Sequence, residues 1–274
     1  MIGKNPITGD PLLIAPERAS RPNAWREGID RCPFCPGHEA DTPAETWRDG
    51  DPWSIRVFPN KYPATGQHEV MVETPDHGAT FDRLAPAHAE RAVASYITQY
   101  YSILRHSASV CIFKNHGLLA GASIPHMHSQ ILGTPFVPPR IARESAAFAA
   151  AARCPLCDLG AEPLIASTDY YRWIAPRGAA MAYESWIVPA RHEPEFREDN
   201  GLASLLQRAT RGMLAVADSF NWIFLNFPRR PAAHWYVQLF PRLSMHAGFE
   251  FGSGSAINTV EAQTAARRLA GEAR

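Results

Sequence analysis

The 274-residue sequence lacks an excess of charge of either sign. Lysine plus arginine and aspartate plus glutamate each number 27, so the formal net charge at pH 7 is zero with histidine neutral. A chain without a basic surplus shows no electrostatic signal for binding nucleic acid, and it has no acidic tail. Nucleic acid is therefore not an expected partner.

Long hydrophobic runs are also missing. No stretch approaches the roughly 20 apolar residues that a membrane span needs, and the opening segment MIGKNPITGDPLLIAPERAS has no apolar signal-peptide run. We therefore expect a soluble cytoplasmic protein with no membrane partner. Proline is abundant by contrast, at 24 residues, which favours short strands and turns over long helices.

Cysteine is scarce, and four of the five cysteines form two C-x-x-C pairs. Cys32 and Cys35 lie in CPFC, and Cys154 and Cys157 lie in CPLC, whereas Cys111 occurs in an apolar segment typical of a buried residue. Without a secretory signal, such pairs are more typical of metal ligands or redox motifs than of structural disulfides. A redox role is less expected, because neither pair begins a thioredoxin-like βαβ pattern.

Each C-x-x-C pair begins a segment with the same order of elements. An alternating strand ending in histidine is followed by a helical stretch, an apolar strand and a strand that begins with histidine. These elements occupy residues 69–77, 83–106, 109–115 and 126–133, and again residues 184–192, 200–219, 221–227 and 234–241. We infer a duplicated α+β unit with a mainly antiparallel sheet and one long helix per copy. The predicted copies span residues 1–145 and 146–274, with a short linking helix near the boundary.

Each copy supplies two cysteines and two histidines, the donor set of many tetrahedral zinc sites. Because the same four-ligand plan occurs twice, the sequence predicts two zinc ions per chain. Unmetallated pairs and a single site built from all four paired cysteines remain alternatives. The predicted ligands are Cys32, Cys35, His77 and His126 in the first copy, and Cys154, Cys157, His192 and His234 in the second.

The segment HMHSQ places His126, His128 and Gln130 at alternate positions, so a strand would direct all three to one face. If His126 binds metal, His128 remains free, and the second copy has Tyr236 at the corresponding position. This asymmetry indicates a chemical task for His128, because imidazole can act as base, acid or nucleophile near neutral pH. Gln130 could donate an amide N–H to a phosphate oxygen.

Residues suited to phosphate binding lie near this strand and near the N-terminus. The turn KNHGLLAGAS contributes Asn115, glycine N–H groups and Ser123, a combination that can hold phosphate oxygens. Arg18 and Arg21 lie three residues apart in PERASRP and could bind a diphosphate through forked hydrogen bonds.

These motifs resemble the galactose-1-phosphate uridylyltransferase and ADP-glucose phosphorylase branch of the HIT superfamily. The resemblance extends over most of the chain, through NPITGDPLLIAPERASRP, CPFC, VFPNKYPA, ETPDH, NHGLLAGASIPHMHSQ, HWYVQLFPRL and GFEFGSGSAIN. It implies two tandem HIT-like repeats and a nucleotidyltransferase that acts on an NDP-sugar. His128 would form the covalent nucleotidyl intermediate, and a sugar 1-phosphate or phosphate would accept the nucleotidyl group.

The resemblance also implies residue roles and an assembly. Cys32, Cys35, His77 and His126 match the family's zinc site, and a homodimer is suggested. Glu250 matches a sugar-contacting position. Phosphate-contacting positions are matched by Arg18, Arg21, Asn60, Asn115, Ser123 and Gln130.

Two departures from the uridylyltransferase pattern bear on the substrate. Met127 and Ser129 stand where uridylyltransferases usually have proline and glycine, and the serine and the second C-x-x-C pair are closer to the ADP-glucose phosphorylases. The leading expectation is a UDP-glucose–hexose-1-phosphate uridylyltransferase. Alternatives are an NDP-sugar phosphorylase of the ADP-glucose type, a HIT-like nucleotide hydrolase or phosphoramidase, and an inactive nucleotide-binding protein. Gln130 favours transfer, since related hydrolases generally carry a third histidine there.

Overall fold

The computed structural model describes residues 1–21, 31–197 and 201–272, which contain twelve strands and five α-helices. The strands are β1 Ile2–Lys4, β2 Pro11–Leu13, β3 Trp47–Asp49, β4 Ile55–Pro59, β5 His68–Val72, β6 Ser109–His116, β7 His128–Thr134, β8 Leu164–Ser167, β9 Tyr171–Ile174, β10 Ser185–Pro189, β11 Phe220–Leu225 and β12 Tyr236–Pro241. The helices are α1 Pro86–Leu104, α2 Pro139–Ala150, α3 Leu202–Leu214, α4 Gly248–Ser253 and α5 Ala262–Ala270.

Ten strands form one antiparallel sheet, and β1 pairs separately with β2. The order across the large sheet is β3-β4-β5-β7-β6-β11-β12-β10-β9-β8. At its centre β6 pairs with β11, where Asn115 lies opposite Asn221. This pairing joins the two halves of the chain into one sheet. The predicted α+β class with a mainly antiparallel sheet is confirmed.

The two halves of the sheet have the same strand order. From the outer edge to the centre, each half contributes its first, second, third, fifth and fourth strand. This order is the one that a duplicated unit would produce, although the tandem repeat and its ranges 1–145 and 146–274 stay predictions. The predicted boundary lies within α2. Residue 200, at the start of the second predicted helix, lies outside the described residues, and α3 begins at Leu202.

Helices α1 and α3 cover one face of the sheet. Their apolar side chains recur every three or four residues, so each helix presents one continuous stripe to the strands. The stripes pack with Ile131 of β7 and Val237 of β12 in a core shared by both halves. The stripe residues include Ala89, Val93, Tyr96, Tyr100 and Ile103 in α1, and Leu202, Leu205, Leu206, Ala209 and Met213 in α3. No helix in the described ranges has the length and apolarity to span a membrane.

The opposite face carries two separate apolar clusters, each beside one C-x-x-C pair. In the first half, Phe34 lies between the cysteines and packs in a cluster with Phe58. In the second half, Leu156 occupies the corresponding place and packs in a cluster with Tyr236. The polar side chains of the predicted site lie on this face of the sheet.

Candidate active site

Four ligand atoms meet where the first C-x-x-C pair faces β7. The Nδ1 atom of His126 lies 3.7 Å from Cys32 Sγ and 3.6 Å from Cys35 Sγ, and His77 Nδ1 lies 3.4 Å from Cys35 Sγ. The four ligand atoms all lie within 4.8 Å of one another. The structure therefore brings the first predicted ligand set together around one point.

The second set forms the same arrangement. His234 Nδ1 lies 3.5 Å from Cys154 Sγ and 3.6 Å from Cys157 Sγ, and His192 Nδ1 lies 3.6 Å from Cys157 Sγ. These atoms also lie within 4.8 Å of one another. A single site built from all four paired cysteines is excluded, because each cysteine pair faces its own pair of histidines.

Both clusters have the geometry and chemistry of tetrahedral metal sites. Bonds of about 2.3 Å to sulfur and about 2.0–2.1 Å to nitrogen, at the tetrahedral angle, separate sulfur from nitrogen by about 3.5–3.6 Å. The observed sulfur–nitrogen distances fall around this value. His126 also donates its Nε2–H to Thr74 O at 2.8 Å, which leaves Nδ1 unprotonated and directed at the cluster. Each of the two clusters, with two cysteines and two histidines, could hold a metal ion.

The structure corrects one expectation about the histidine segment. His126 does not share a strand with His128 and Gln130, because β7 begins at His128 and His126 lies in the preceding bends. Pro125, which has no N–H to contribute to a ladder, immediately precedes His126. The chain can therefore turn His126 into the metal cluster while β7 directs His128 and Gln130 to a neighbouring cavity.

The imidazole of His128 is held in one orientation. Its Nδ1 donates to the backbone oxygen of His126 at 2.8 Å, so the lone pair of the neutral ring is on Nε2. The ring of Phe34 meets it edge-on at a centroid distance of 5.2 Å. Burial, reinforced by the charge of Lys114, lowers the pKa of His128 to about 4. A neutral imidazole with a free Nε2 is the form that can attack an electrophile.

A cavity of about 510 Å³ opens over His128 and Gln130. Its volume is in the range of small-molecule sites, about 300–1,000 Å³. Three predicted substrate residues, Arg21, Asn60 and Ser123, line it. Among the described residues of its lining, three side chains are cationic and one is anionic, which favours an anionic ligand: Arg21, Arg31 and Lys61 against Asp41.

Arg18, Asn115 and Glu250 lie outside the cavity lining. Arg18 lies beside the cavity wall, because its Nη1 donates to the backbone oxygen of the lining residue Tyr62 at 2.5 Å. Burial and the charge of Arg21 lower the pKa of Arg18. Asn115 accepts a hydrogen bond from Asn221 Nδ2 at 2.8 Å and borders a narrow crevice beside His128. Glu250 is half-buried in α4, where its carboxylate accepts the N–H of Ala247 at 3.0 Å.

Two groups of buried residues at the site were not predicted. His68 donates from Nε2 to Gln130 Oε1 at 3.0 Å beneath the cavity floor. On the helix side of β7, Glu73 Oε1 accepts hydrogen bonds from Tyr96 OH at 2.5 Å and Lys114 Nζ at 2.8 Å. The sequence shows that His68 lies in an alternating strand. It does not show its partner Gln130, which lies 62 residues away in the sequence.

The second half has a cavity of about 360 Å³ on the same face of the sheet, beside its own C-x-x-C pair. Tyr236 and Gln238 line it, and the guanidinium of Arg140 donates to both at 3.2 and 2.8 Å. Two carboxylates, Glu144 and Glu184, also line it against this one cation. A cavity with two carboxylates and no imidazole in its lining is unsuited to nucleotidyl transfer through histidine.

Comparison with known proteins identifies relatives with this architecture. The profile for the galactose-1-phosphate uridyl transferase N-terminal domain matches residues 54–138. An ADP-glucose phosphorylase from Arabidopsis thaliana is 28% identical, over 94% of this chain and 88% of the relative. A galactose-1-phosphate uridylyltransferase from Thermotoga maritima is 25% identical, over 97% of this chain and 96% of the relative.

Solved structures agree with these relatives. The crystal structure of an Arabidopsis thaliana ADP-glucose phosphorylase with bound ADP-glucose superposes with a TM-score of 0.82 at 27% identity, covering 100% of this chain and 99% of that one. A uridylyltransferase structure shares the fold, with a TM-score of 0.83 at 23% identity over 98% and 97% of the two chains. In sequence and fold the chain is therefore similar to galactose-1-phosphate uridylyltransferases and ADP-glucose phosphorylases, which are nucleotidyltransferase enzymes.

Proposed function

We propose that this protein transfers a nucleoside monophosphate group from a nucleotide sugar to a phosphorylated acceptor through a covalent nucleotidyl-His128. The observation that carries the proposal is the orientation of His128: Nδ1–H is bonded to the His126 carbonyl, and Nε2 is free beside a cavity with cationic walls. Similarity to uridylyltransferases and ADP-glucose phosphorylases supports the reaction class.

In the first step, Nε2 attacks the α-phosphorus of the nucleotide sugar. The N–P bond forms, the bond from phosphorus to the bridging oxygen breaks, and sugar 1-phosphate leaves with the electron pair. In the second step, a phosphate oxygen of the acceptor attacks the same phosphorus, and the electron pair of the N–P bond returns to Nε2. Throughout, the Nδ1–H group of His128 stays hydrogen-bonded to the His126 carbonyl oxygen. This bond stabilises the positive charge that develops on the His128 ring.

The cavity residues would bind and screen the phosphates. Arg21 and Lys61 supply positive charge at the wall, and Gln130 and Ser123 supply neutral donors close to the nucleophile. Arg18 and Asn115 would contribute from beside the cavity. Asn60 donates to Gln130, and Glu250 is half-buried in α4 outside the cavity lining, so a phosphate contact for Asn60 and a sugar contact for Glu250 stay predictions.

Zinc is the metal we propose for the two clusters of cysteine and histidine ligands, at two ions per chain. Thiolate and imidazole suit this ion, and four protein ligands leave no open position for a reacting group. When bound, zinc would supply a rigid tetrahedral anchor. In the first cluster the anchored residue is His126, whose carbonyl oxygen orients His128.

Two substrate pairs are candidates. One is UDP-glucose with a hexose 1-phosphate, as in the uridylyltransferases. The other is ADP-glucose with inorganic phosphate, and it is supported by the Arabidopsis thaliana relative at 28% identity and by its structure with bound ADP-glucose. The chemistry at His128 is the same for both pairs.

We also propose a homodimer, supported by an exposed apolar segment around α4. Met245 is 75% exposed, Phe249 57% and Phe251 78%, an arrangement that favours burial against another protein surface. Glu250 lies within this segment. Sedimentation equilibrium tests the assembly: a chain that remains monomeric at micromolar concentration contradicts it.

Intact-mass spectrometry tests the reaction directly. The protein is mixed separately with UDP-glucose and ADP-glucose, and the correct donor should add the mass of UMP or AMP to the chain. Subsequent addition of galactose 1-phosphate or inorganic phosphate should remove the added mass and identify the acceptor. Free nucleoside monophosphate without an adduct would indicate a hydrolase, and no adduct or product with either donor would overturn the proposal.

A further inference from the structure

The carbonyl oxygen of Gln130 is already occupied by two protein donors. His68 Nε2 lies 3.0 Å from Gln130 Oε1, and Asn60 Nδ2 lies 3.3 Å from it. A carboxamide oxygen has two lone pairs, so these bonds use its accepting capacity. The two N–H groups of the Gln130 amide are then left for the cavity, which Gln130 lines.

The neighbours of His68 determine which of its nitrogens carries the proton. The backbone N–H of Ala64 donates to His68 Nδ1 at 3.0 Å, so Nδ1 is the acceptor and Nε2 is the donor. His68 is 3% exposed, and burial lowers its pKa to about 4, with smaller contributions from Arg18 and Arg21. The ring is therefore neutral at pH 7 and fixed in one tautomer.

A backbone donor also fixes the orientation of the Asn60 side chain. The N–H of Tyr62 donates to Asn60 Oδ1 at 2.8 Å, which directs the Asn60 amide nitrogen toward Gln130. Asn60 Nδ2 and His68 Nε2 lie 3.3 Å apart. Because both nitrogens are donors, they do not bond to each other, and both donate to Gln130 Oε1. Both neighbours of Gln130 require its carbonyl group to point away from the ligand.

We propose that His68 is a positioning residue that fixes the Gln130 amide, so that Gln130 presents only N–H donors to the phosphoryl oxygens of the substrate. This inference rests on the proposed nucleotidyl transfer. If the Gln130 amide rotated by 180°, its carbonyl oxygen would face an anionic ligand, and the interaction would change from attraction to repulsion. His68 prevents this rotation without contacting the substrate.

Two substitutions at His68 separate its two hydrogen bonds. The side-chain oxygen of His68→Asn can still accept the Ala64 N–H, but the donor to Gln130 is removed. The amide nitrogen of His68→Gln can reach the position of Nε2 and restore that donor. We expect His68→Asn to lower kcat/KM for adduct formation roughly 10–100-fold. This is the size of one lost hydrogen bond to a charged group, here the bond from Gln130 to the phosphoryl oxygens. His68→Gln should recover most of this loss.

The Gln130→Ala background distinguishes positioning from a general structural effect. If His68 acts through Gln130, His68→Asn should cause no further loss once Gln130 is alanine. An equal loss in both backgrounds, or no loss from His68→Asn in either, would overturn the role of His68. A wild-type rate for Gln130→Ala alone would instead contradict the role of Gln130 in the proposed function.

An NMR measurement of the Gln130 amide does not depend on the folding of any variant at His68. The side-chain amide of Gln130, assigned by the loss of its ¹⁵N–¹H signals in Gln130→Ala, should give one pair of proton signals that shifts when the donor nucleotide sugar is added to His128→Asn protein. Two pairs of signals in slow exchange, from two amide orientations, would contradict a fixed amide.

Discussion

His128 donates its Nδ1–H to the backbone carbonyl oxygen of His126 across 2.8 Å, so the imidazole beside the cavity is oriented by a residue of the first cluster of candidate metal ligands. His126 is fully buried, and its ring is fixed by Thr74 O on one side and by the two cysteines on the other. One residue thus connects the metal cluster to the proposed nucleophile through a single peptide group. The first two predictions follow from this connection.

Substituting His128 by asparagine should remove the nucleophile and retain the hydrogen bond. The asparagine amide nitrogen can take the place of Nδ1 and donate to the His126 carbonyl, but nothing replaces Nε2. We expect no nucleotidyl adduct and a fall in kcat on the order of 10⁴-fold or more, as for other covalent nucleophiles. Intact mass and steady-state rates check this, with zinc content and Tm as controls. An adduct on the variant would exclude His128 as the attacking group.

The two metal clusters should differ in their effect on catalysis. Cys35→Ser and Cys157→Ser should each lower the metal content from about two zinc ions per chain to about one. We expect adduct formation to slow strongly in Cys35→Ser, because His126 loses its anchor, and to persist in Cys157→Ser. Elemental analysis and intact mass measure the two effects. Equal loss of adduct formation in both variants would contradict a specific link between the first cluster and His128.

The buried pair Glu73 and Lys114 should be sensitive to loss of either charge. Their side chains are 0% and 2% exposed, and Nζ lies 2.8 Å from Oε1. Lys114→Met leaves the Glu73 carboxylate buried without its cation, at an expected cost of about 3–5 kcal/mol in the free energy of unfolding. The double variant Glu73→Gln with Lys114→Met should recover much of that cost. Urea unfolding of the two single variants and the double variant completes the cycle, and additive effects would refute the coupling.

Gly117 and Gly121 test the backbone requirements of the turn before Ser123. Their φ angles are +83° and +81°, but a Cβ on Gly117 would lie 2.6 Å from Asp218 O, whereas one on Gly121 meets no atom within 4 Å. We expect Gly121→Ala to cost about 1–2 kcal/mol from backbone strain alone. Gly117→Ala should cost clearly more, since a ψ angle of 166° places Gly117 in a region essentially restricted to glycine and the Asp218 backbone must also move. Equal unfolding midpoints in urea would show that neither constraint is maintained in solution.

Features with a local signature were predicted well from the sequence. The helical spacing at residues 83–106 corresponds to α1 Pro86–Leu104, and the alternating segment at 69–77 overlaps β5 His68–Val72. The grouping of the candidate metal ligands could be predicted because C-x-x-C pairs and histidines recur in one order, and ligand chemistry limits the choice of residue types. The strand assigned to His126 was wrong, because the period-two spacing starts at His126 although β7 starts only at His128.

Features that depend on distant partners were not predicted. The sequence shows His68 as one histidine in an alternating strand, and its role depends on Gln130 and Ala64, which only the fold brings to its two nitrogens. Glu73 and Lys114 are separated by 41 residues and meet because β5 and β6 lie on either side of β7. Likewise, no local pattern indicates that β6 pairs with β11.

The pairing of β6 with β11 constrains how the enzyme can admit its ligand. Hydrogen bonds run across the junction from Ile112 opposite Phe224 to His116 opposite Phe220, so a hinge between the halves would have to break this ladder. We therefore expect access to His128 to be controlled by the segments that line its cavity, which include residues 40–43 and 60–62. The strands beneath would then act as a rigid platform while a bond to phosphorus is made and broken.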